Sequence, residues 1–130
     1  MRFLLDTNAL IELFRGNQKL IDRFSAHRTA DFGVSAVSHH ELCFGAYKSK
    51  RVEENLRMVH ALEFEVLPLS QADAERAGEI RAALAAKRTH IGPYDVLIAG
   101  QALARSLTLI TRNTREFERV EGLTFENWME

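Results

Sequence analysis

Asp6, Glu41, Asp95 and Asn113 come from four distant segments, and each stands beside an apolar run. Asp6 ends Phe3-Leu4-Leu5. Glu41 follows Val34 to Val37 by one helical turn. Asp95 precedes Leu97-Ile98-Ala99, and Asn113 follows Leu109-Ile110-Thr111-Arg112. Three carboxylates and one amide present oxygen donors. That set selects a hard cation such as Mg²⁺ or Mn²⁺, whereas softer metals take Cys or His. Carboxylates about 6 Å apart repel by roughly 3 kcal/mol per pair at an effective dielectric near 20. Three such pairs cost several kcal/mol, comparable with the whole stability of a small domain. A bound divalent ion removes the conflict, so the expected chemistry is metal-dependent hydrolysis of a phosphodiester.

Each residue alone has a simpler reading. Asp6 precedes a helix start, where the helix dipole favours an acid. Glu41 is the third residue after Ser38, the capping-box position. Asp95 lies in a first helical turn behind Gly92-Pro93. Asn113-Thr114 suits a turn. The inference rests on the set. His39 and His40 are adjacent and the other three histidines are scattered, which gives no zinc pattern. There is neither a Walker loop nor a Gly-x-Gly-x-x-Gly segment.

These positions must be delivered by alternating strands and helices. Phe3–Leu5 reads as a buried strand, followed by a helix from Ala9 to Arg15 that Thr7 or Asn8 caps and Gly16 stops. Lys19 to His27 is helical in spacing. Phe32 to Val37 reads as a second strand, with Ser38 capping a helix to about Lys48. Val52 to Leu62 is another helix. Val66 to Leu69 is a strand whose Pro68 places it at the end or edge of a sheet. A long helix runs from Ser70 to about Lys87. Pro93 suits the first turn of the next, Tyr94 to Ala104. Leu107 to Thr111 is a strand, Thr114 to Arg119 a short turn or helix, and Leu123 to Phe125 a terminal strand. This order implies an α/β fold with a mostly parallel five-stranded sheet and helices on both faces. Ligands of such sheets bind beyond the strands' carboxyl ends, where the strand order reverses. Asp95 reaches that edge only if its helix starts there.

The bulk properties permit this reading. At 130 residues the chain fits one domain, residues 1–130, with no linker or repeat to divide it. Its apolar and charged fractions, 46% and 27%, are ordinary for a globular protein. The formal charge of -1 supplies no global cationic field, so nucleic acid must be met by local basic clusters. A single cysteine, Cys43, forbids an internal disulfide and fits a reducing compartment. The first apolar run stops at Asp6, too early for a signal peptide, and no apolar run approaches the ~20 residues of a membrane span. A soluble, cytoplasmic protein with no membrane association is expected.

The segments Leu4-Leu5-Asp6-Thr7-Asn8, Glu41-Leu42-x-x-Gly45, Gly92-Pro93-Tyr94-Asp95-x-x-Ile98-Ala99 and Thr111-x-Asn113-x-x-x-Phe117 together resemble the PIN-domain ribonucleases, and among them the VapC-type toxins of toxin–antitoxin pairs. The likeness covers nearly the whole chain in order. It implies the PIN-like three-layer fold and Mg²⁺- or Mn²⁺-dependent cleavage of RNA, with tRNA the usual substrate class. It also implies a homodimer and inhibition by a cognate VapB-type antitoxin. Carried over by position, Asp6, Glu41 and Asp95 match the acidic metal-site residues. Asn113 falls where many relatives have a fourth acid, and Glu116 is near enough to substitute. Thr7, Asn8 and Thr111 would hold the acids in place. Arg112 and Arg115, with Arg15 and Lys48 behind them, would bind RNA phosphates. Two rivals remain at this stage. A phosphatase with an aspartyl nucleophile would want a second acid where Asp6-Thr7-Asn8 has none. A catalytically idle PIN-fold regulator that binds RNA or a partner would have no need to keep three acids.

Overall fold

A computed structural model describes residues 1–130. Strand β1 (Phe3–Leu5) is followed by helices α1 (Thr7–Phe14) and α2 (Gln18–Ser25). Strand β2 (Phe32–Ser35) leads into α3 (Ala36–Lys48) and α4 (Val52–His60). Then come β3 (Glu65–Leu67), α5 (Gln71–Ala86), α6 (Pro93–Ala104), β4 (Thr108–Ile110), α7 (Thr114–Phe117) and β5 (Phe125–Glu126). The five strands form one sheet in the order β3-β2-β1-β4-β5. Every pairing is parallel, so the sheet is wholly rather than mostly parallel.

The side-chain period of two divides the sheet between two cores. Leu4 and Leu109 face one side, where Ile80, Leu84, Ile98, Ala102 and Phe117 cover them. Phe3, Leu5, Val34 and Ile110 face the other, against Leu10, Leu20, Leu42, Val59 and Trp128. Both faces are thus roofed by helices, the arrangement that buries the two sides of a parallel sheet. α5 and α6 pack so closely that a Cβ on Gly100 would lie 2.6 Å from the backbone nitrogen of Ala77.

Strand β1 is central. The chain builds outward from it through β2 to β3, then returns to place β4 and β5 on its other side. The order therefore reverses between β1 and β4, and the crevice at their carboxyl ends is the place for a ligand. α6 runs into β4, which is parallel to β1, so α6 starts at the carboxyl edge and puts Asp95 there. Pro93 occupies its first turn, where the missing N–H costs no hydrogen bond.

Several caps differ from the sequence pattern. α1 is capped by Asp6 itself, whose Oδ1 accepts a hydrogen bond from the Ala9 amide at 2.8 Å. The capping box expected at Ser38 does not form. β2 ends earlier, and Ser35 Oγ accepts from the Val37 amide at 3.1 Å. Ser35 is the last paired residue of β2, so the helix starts directly after it and Ser38 falls inside the first turn. Pro68 lies just past β3, which is an edge strand. The Ser70–Asp73 capping box of α5 is present. Replacing Gly100 by alanine should cost about 1–3 kcal/mol, because the added methyl meets backbone that cannot yield. Urea denaturation of the variant checks this, with the midpoint expected to fall.

Candidate functional site

Asp6, Glu41 and Asp95 line one cleft of about 680 Å³, together with Thr7, Asn8, Ile11, His40, Phe44 and Tyr94. Asp6 arrives at the end of β1 and is 3% exposed. Its backbone N–H donates to the Ile110 carbonyl at 3.2 Å, which ties it to the neighbouring β4. The Thr111 hydroxyl and the Ala9 amide also bond its carboxylate. Glu41 lies on α3, where Thr7 donates its hydroxyl to Oε1 at 2.7 Å. Because the helix starts at Ala36, Glu41 is not a capping residue and its carboxylate is free for the cleft. Asn8 is exposed at the cleft wall.

Asn113 is held in place from both its backbone and its side chain. Its backbone amide donates to Thr111 Oγ1 at 2.9 Å, and its side-chain Nδ2 donates to the Glu116 carboxylate. Glu116 also accepts from the Gly92 amide, and it stands beside Asp95. The structure therefore brings Glu116 to the acidic group, with the Asn113 amide bonded to it. The signal was present in the sequence: an acid three residues after Asn113, in the first turn of a short helix.

The electrostatics are those of crowded, unbalanced charge. Burial pushes the Asp6 carboxyl up to about 6 against its hydrogen bonds, and the Glu41 charge adds to the rise. Burial, then the charges of Glu116, Asp6 and Glu41, push Asp95 up to about 7. None of the four carboxylates forms an ion pair with a lysine or arginine. Four acids near one crevice, all oxygen donors and without a protein counter-charge, fit a hard divalent cation. No three of them close tightly enough to ring an ion unaided.

The basic residues divide. Arg112 and Arg15 both pair with Glu12, at 3.3 and 3.1 Å. Lys48 lies over the Phe44 ring, 5.7 Å from its centroid. Arg115 is exposed and makes no ion pair. Beside Glu41, Ile11, Phe14, Leu42, Ala46, Met58 and Val59 line an apolar groove. No helix is long and apolar enough to cross a membrane.

A family model described as "PIN domain" matches residues 3–123. The chain is 40% identical over 131 residues to a "tRNA(fMet)-specific endonuclease VapC" of Salmonella typhimurium, covering 98% of both. It is 32% identical over 132 residues to a "Ribonuclease VapC2" of Haemophilus influenzae, covering 99% of both. A solved structure of DNA-bound VapBC from Salmonella typhimurium superposes with a TM-score of 0.93 at 40% identity, covering 98% of each chain.

The raised carboxyls give a pH test. Unfolded, Asp6 and Asp95 titrate near 3.8; folded, near 6 and 7. Between these limits the folded form holds more protons, so metal-free stability should fall as pH rises from about 4 to about 7. Thermal melts in chelator should show that decline, and Asp95→Asn should flatten it. Added Mg²⁺ should raise the melting temperature more at pH 8 than at pH 5. A melting temperature that climbs with pH in chelator would contradict the assignment.

Proposed function

The chain belongs to the PIN-domain family, and we propose that it is a VapC-type endoribonuclease, the toxin of a toxin–antitoxin pair. The observation that carries the reading is the cleft at the β1–β4 crevice, where Asp6, Glu41 and Asp95 meet with no cationic side chain to balance them. Residues 1–130 act as one nuclease domain. Its setting is the cytoplasm, and its substrate class is structured RNA, tRNA above all, in keeping with the name of the Salmonella relative.

Asp6, Asp95, Glu41 and Glu116 would hold Mg²⁺ or Mn²⁺. When bound, the ion lowers the pKa of water and offsets charge on the phosphoryl oxygens. The protein's own groups do the rest. Thr7 fixes Glu41, Thr111 and the Ala9 amide fix Asp6, and Asn113 with the Gly92 amide fixes Glu116. One carboxylate, Glu41 or Asp95, orients the attacking water or takes its proton. In-line attack by water leaves a 5′-phosphate and a 3′-hydroxyl. The RNA 2′-hydroxyl is not the nucleophile, so choice of RNA rests on binding and shape. Arg112, Arg115, Arg15 and Lys48 supply phosphate contacts.

The partner is a VapB-type antitoxin, as in the relative's complex, and the toxin itself is a homodimer. The apolar groove beside Glu41 continues to exposed Phe44, Tyr47 and Met58, a surface suited to a protein partner.

Asp6→Asn, Glu41→Gln, Asp95→Asn and Glu116→Gln should each lower cleavage of tRNA by at least about 100-fold while leaving the circular dichroism spectrum unchanged. Asn113→Ala should lose less, because it removes only a support. Chelator should abolish cleavage and Mg²⁺ or Mn²⁺ restore it. Sequencing of product ends decides the chemistry: a 2′,3′-cyclic phosphate would exclude water as the nucleophile.

A further inference from the structure

Glu12 is the one acid on the inward side of α1, and it is 9% exposed. A carboxylate with so little exposure is costly unless paired. It is paired twice. Arg112 meets it with a fork, Nη1 to Oε1 at 3.4 Å and Nη2 to Oε2 at 3.3 Å. Arg15 Nη1 donates to Oε1 at 3.1 Å, and Asn17 Nδ2 to Oε2 at 3.2 Å. The Asn17 bond, aided by both arginines, outweighs burial and keeps Glu12 below the ordinary carboxylate range, so it is charged at neutral pH.

The two guanidiniums meet on Glu12. Arg15 shares a groove wall with Glu41. Arg112 directly follows Thr111, whose hydroxyl bonds the Asp6 carboxylate. Both heads stay open to solvent, with side chains 71% and 45% exposed. An arginine with such exposure samples many rotamers unless something anchors it, and ordering it on binding subtracts from affinity. One buried acid anchors both.

We propose that Glu12 is a positioning residue, holding Arg15 and Arg112 as a preformed pair of phosphate-binding groups on the α1 side of the cleft. The proposal rests on the reading of those arginines as RNA contacts. Glu12 touches no substrate. Its charge opposes RNA, but it is buried behind two guanidiniums that screen it, so orientation outweighs repulsion. The sign of the effect separates the two: simple neutralisation predicts tighter RNA binding when the charge is removed, and positioning predicts weaker binding.

The test uses full-length protein and a fluorescein-labelled tRNA, with binding read by anisotropy in chelator and cleavage read in Mg²⁺. Glu12→Gln should weaken binding about tenfold, the cost of ordering two long side chains. Its kcat at saturating RNA should stay within about twofold of the native value, because uniform binding alone is lost. The Arg15→Gln/Arg112→Gln double variant should lower the slope of log affinity against log salt by about 2. Glu12→Gln should add nothing in that background. Glu12→Asp, which keeps the charge, should recover part of the affinity, and it carries the test if the glutamine variant does not fold. Binding that tightens or stays unchanged in Glu12→Gln overturns the proposal. So does an equal loss with the arginines absent, which would mark a purely structural role. If the arginine double variant binds RNA as the native protein does, the phosphate reading of this rim falls and takes Glu12 with it. If the native protein binds tRNA without cleaving it, the nuclease reading falls while the binding result still decides the role of Glu12.

Discussion

Uncompensated negative charge at the crevice between β1 and β4 is the constraint around which the molecule is arranged. Asp6 and Asp95 are driven up towards neutral pH by burial first and then by neighbouring carboxylates, Glu41 for Asp6 and Glu116, Asp6 and Glu41 for Asp95. A folded chain tolerates this only where something outside the chain supplies positive charge, or where protons do. The rest of the structure delivers these acids and keeps them from relaxing apart. Asp6 is fixed by sheet, helix cap and hydroxyl together; Glu41 and Glu116 each hang from a hydrogen bond offered by a separate element.

Other acids in the same chain show the contrast. Glu12 and Asp73 are also largely buried, yet their carboxyls lie below the ordinary range. Burial alone would raise Asp73, but hydrogen bonds from Arg105 and from Ser70 outweigh it. Arg105 approaches it at 2.9 Å and Gln101 adds a further bond, locking the start of α5 to the end of α6. Where the fold needs a buried acid for architecture, it brings an arginine. Where the acids face the crevice, it brings none. That difference in pairing, rather than burial as such, sets the crevice acids apart from the rest.

The two helical layers serve the crevice unequally. α5 and α6 are pressed together through Gly100 and Ala77 and form a rigid back against which α6 holds its first turn, and with it Asp95. The α1, α3 and α4 side carries the exposed Phe44, Tyr47 and Met58 and the groove beside Glu41. Basic side chains frame the same side through Glu12. The acidic centre and the apolar face are therefore neighbours, with Arg15 in the groove between them, so a protein partner seated on the apolar face would also stand beside the acids.

Much of this was legible in the chain itself. Alternating apolar runs announced the strands and helices, because burial on both sides of a parallel sheet leaves few polar positions within them. Asp6, Glu41 and Asp95 stood out because acids at the ends of such runs are held near the core's edge. The order of motifs pointed to the family. Tertiary structure alone decided which serine caps α3, since Ser35 and Ser38 are equal in local propensity and only the pairing of β2 with β3, which ends at Ser35, distinguishes them. It alone brought Glu116 to Asp95, because that acid lies one turn beyond Asn113 and only the position of Gly92 and Asp95 shows what it meets. Glu12 was invisible for the same reason: its partners Arg15 and Arg112 are 3 and 100 residues away, and pairing across that span is a property of the fold.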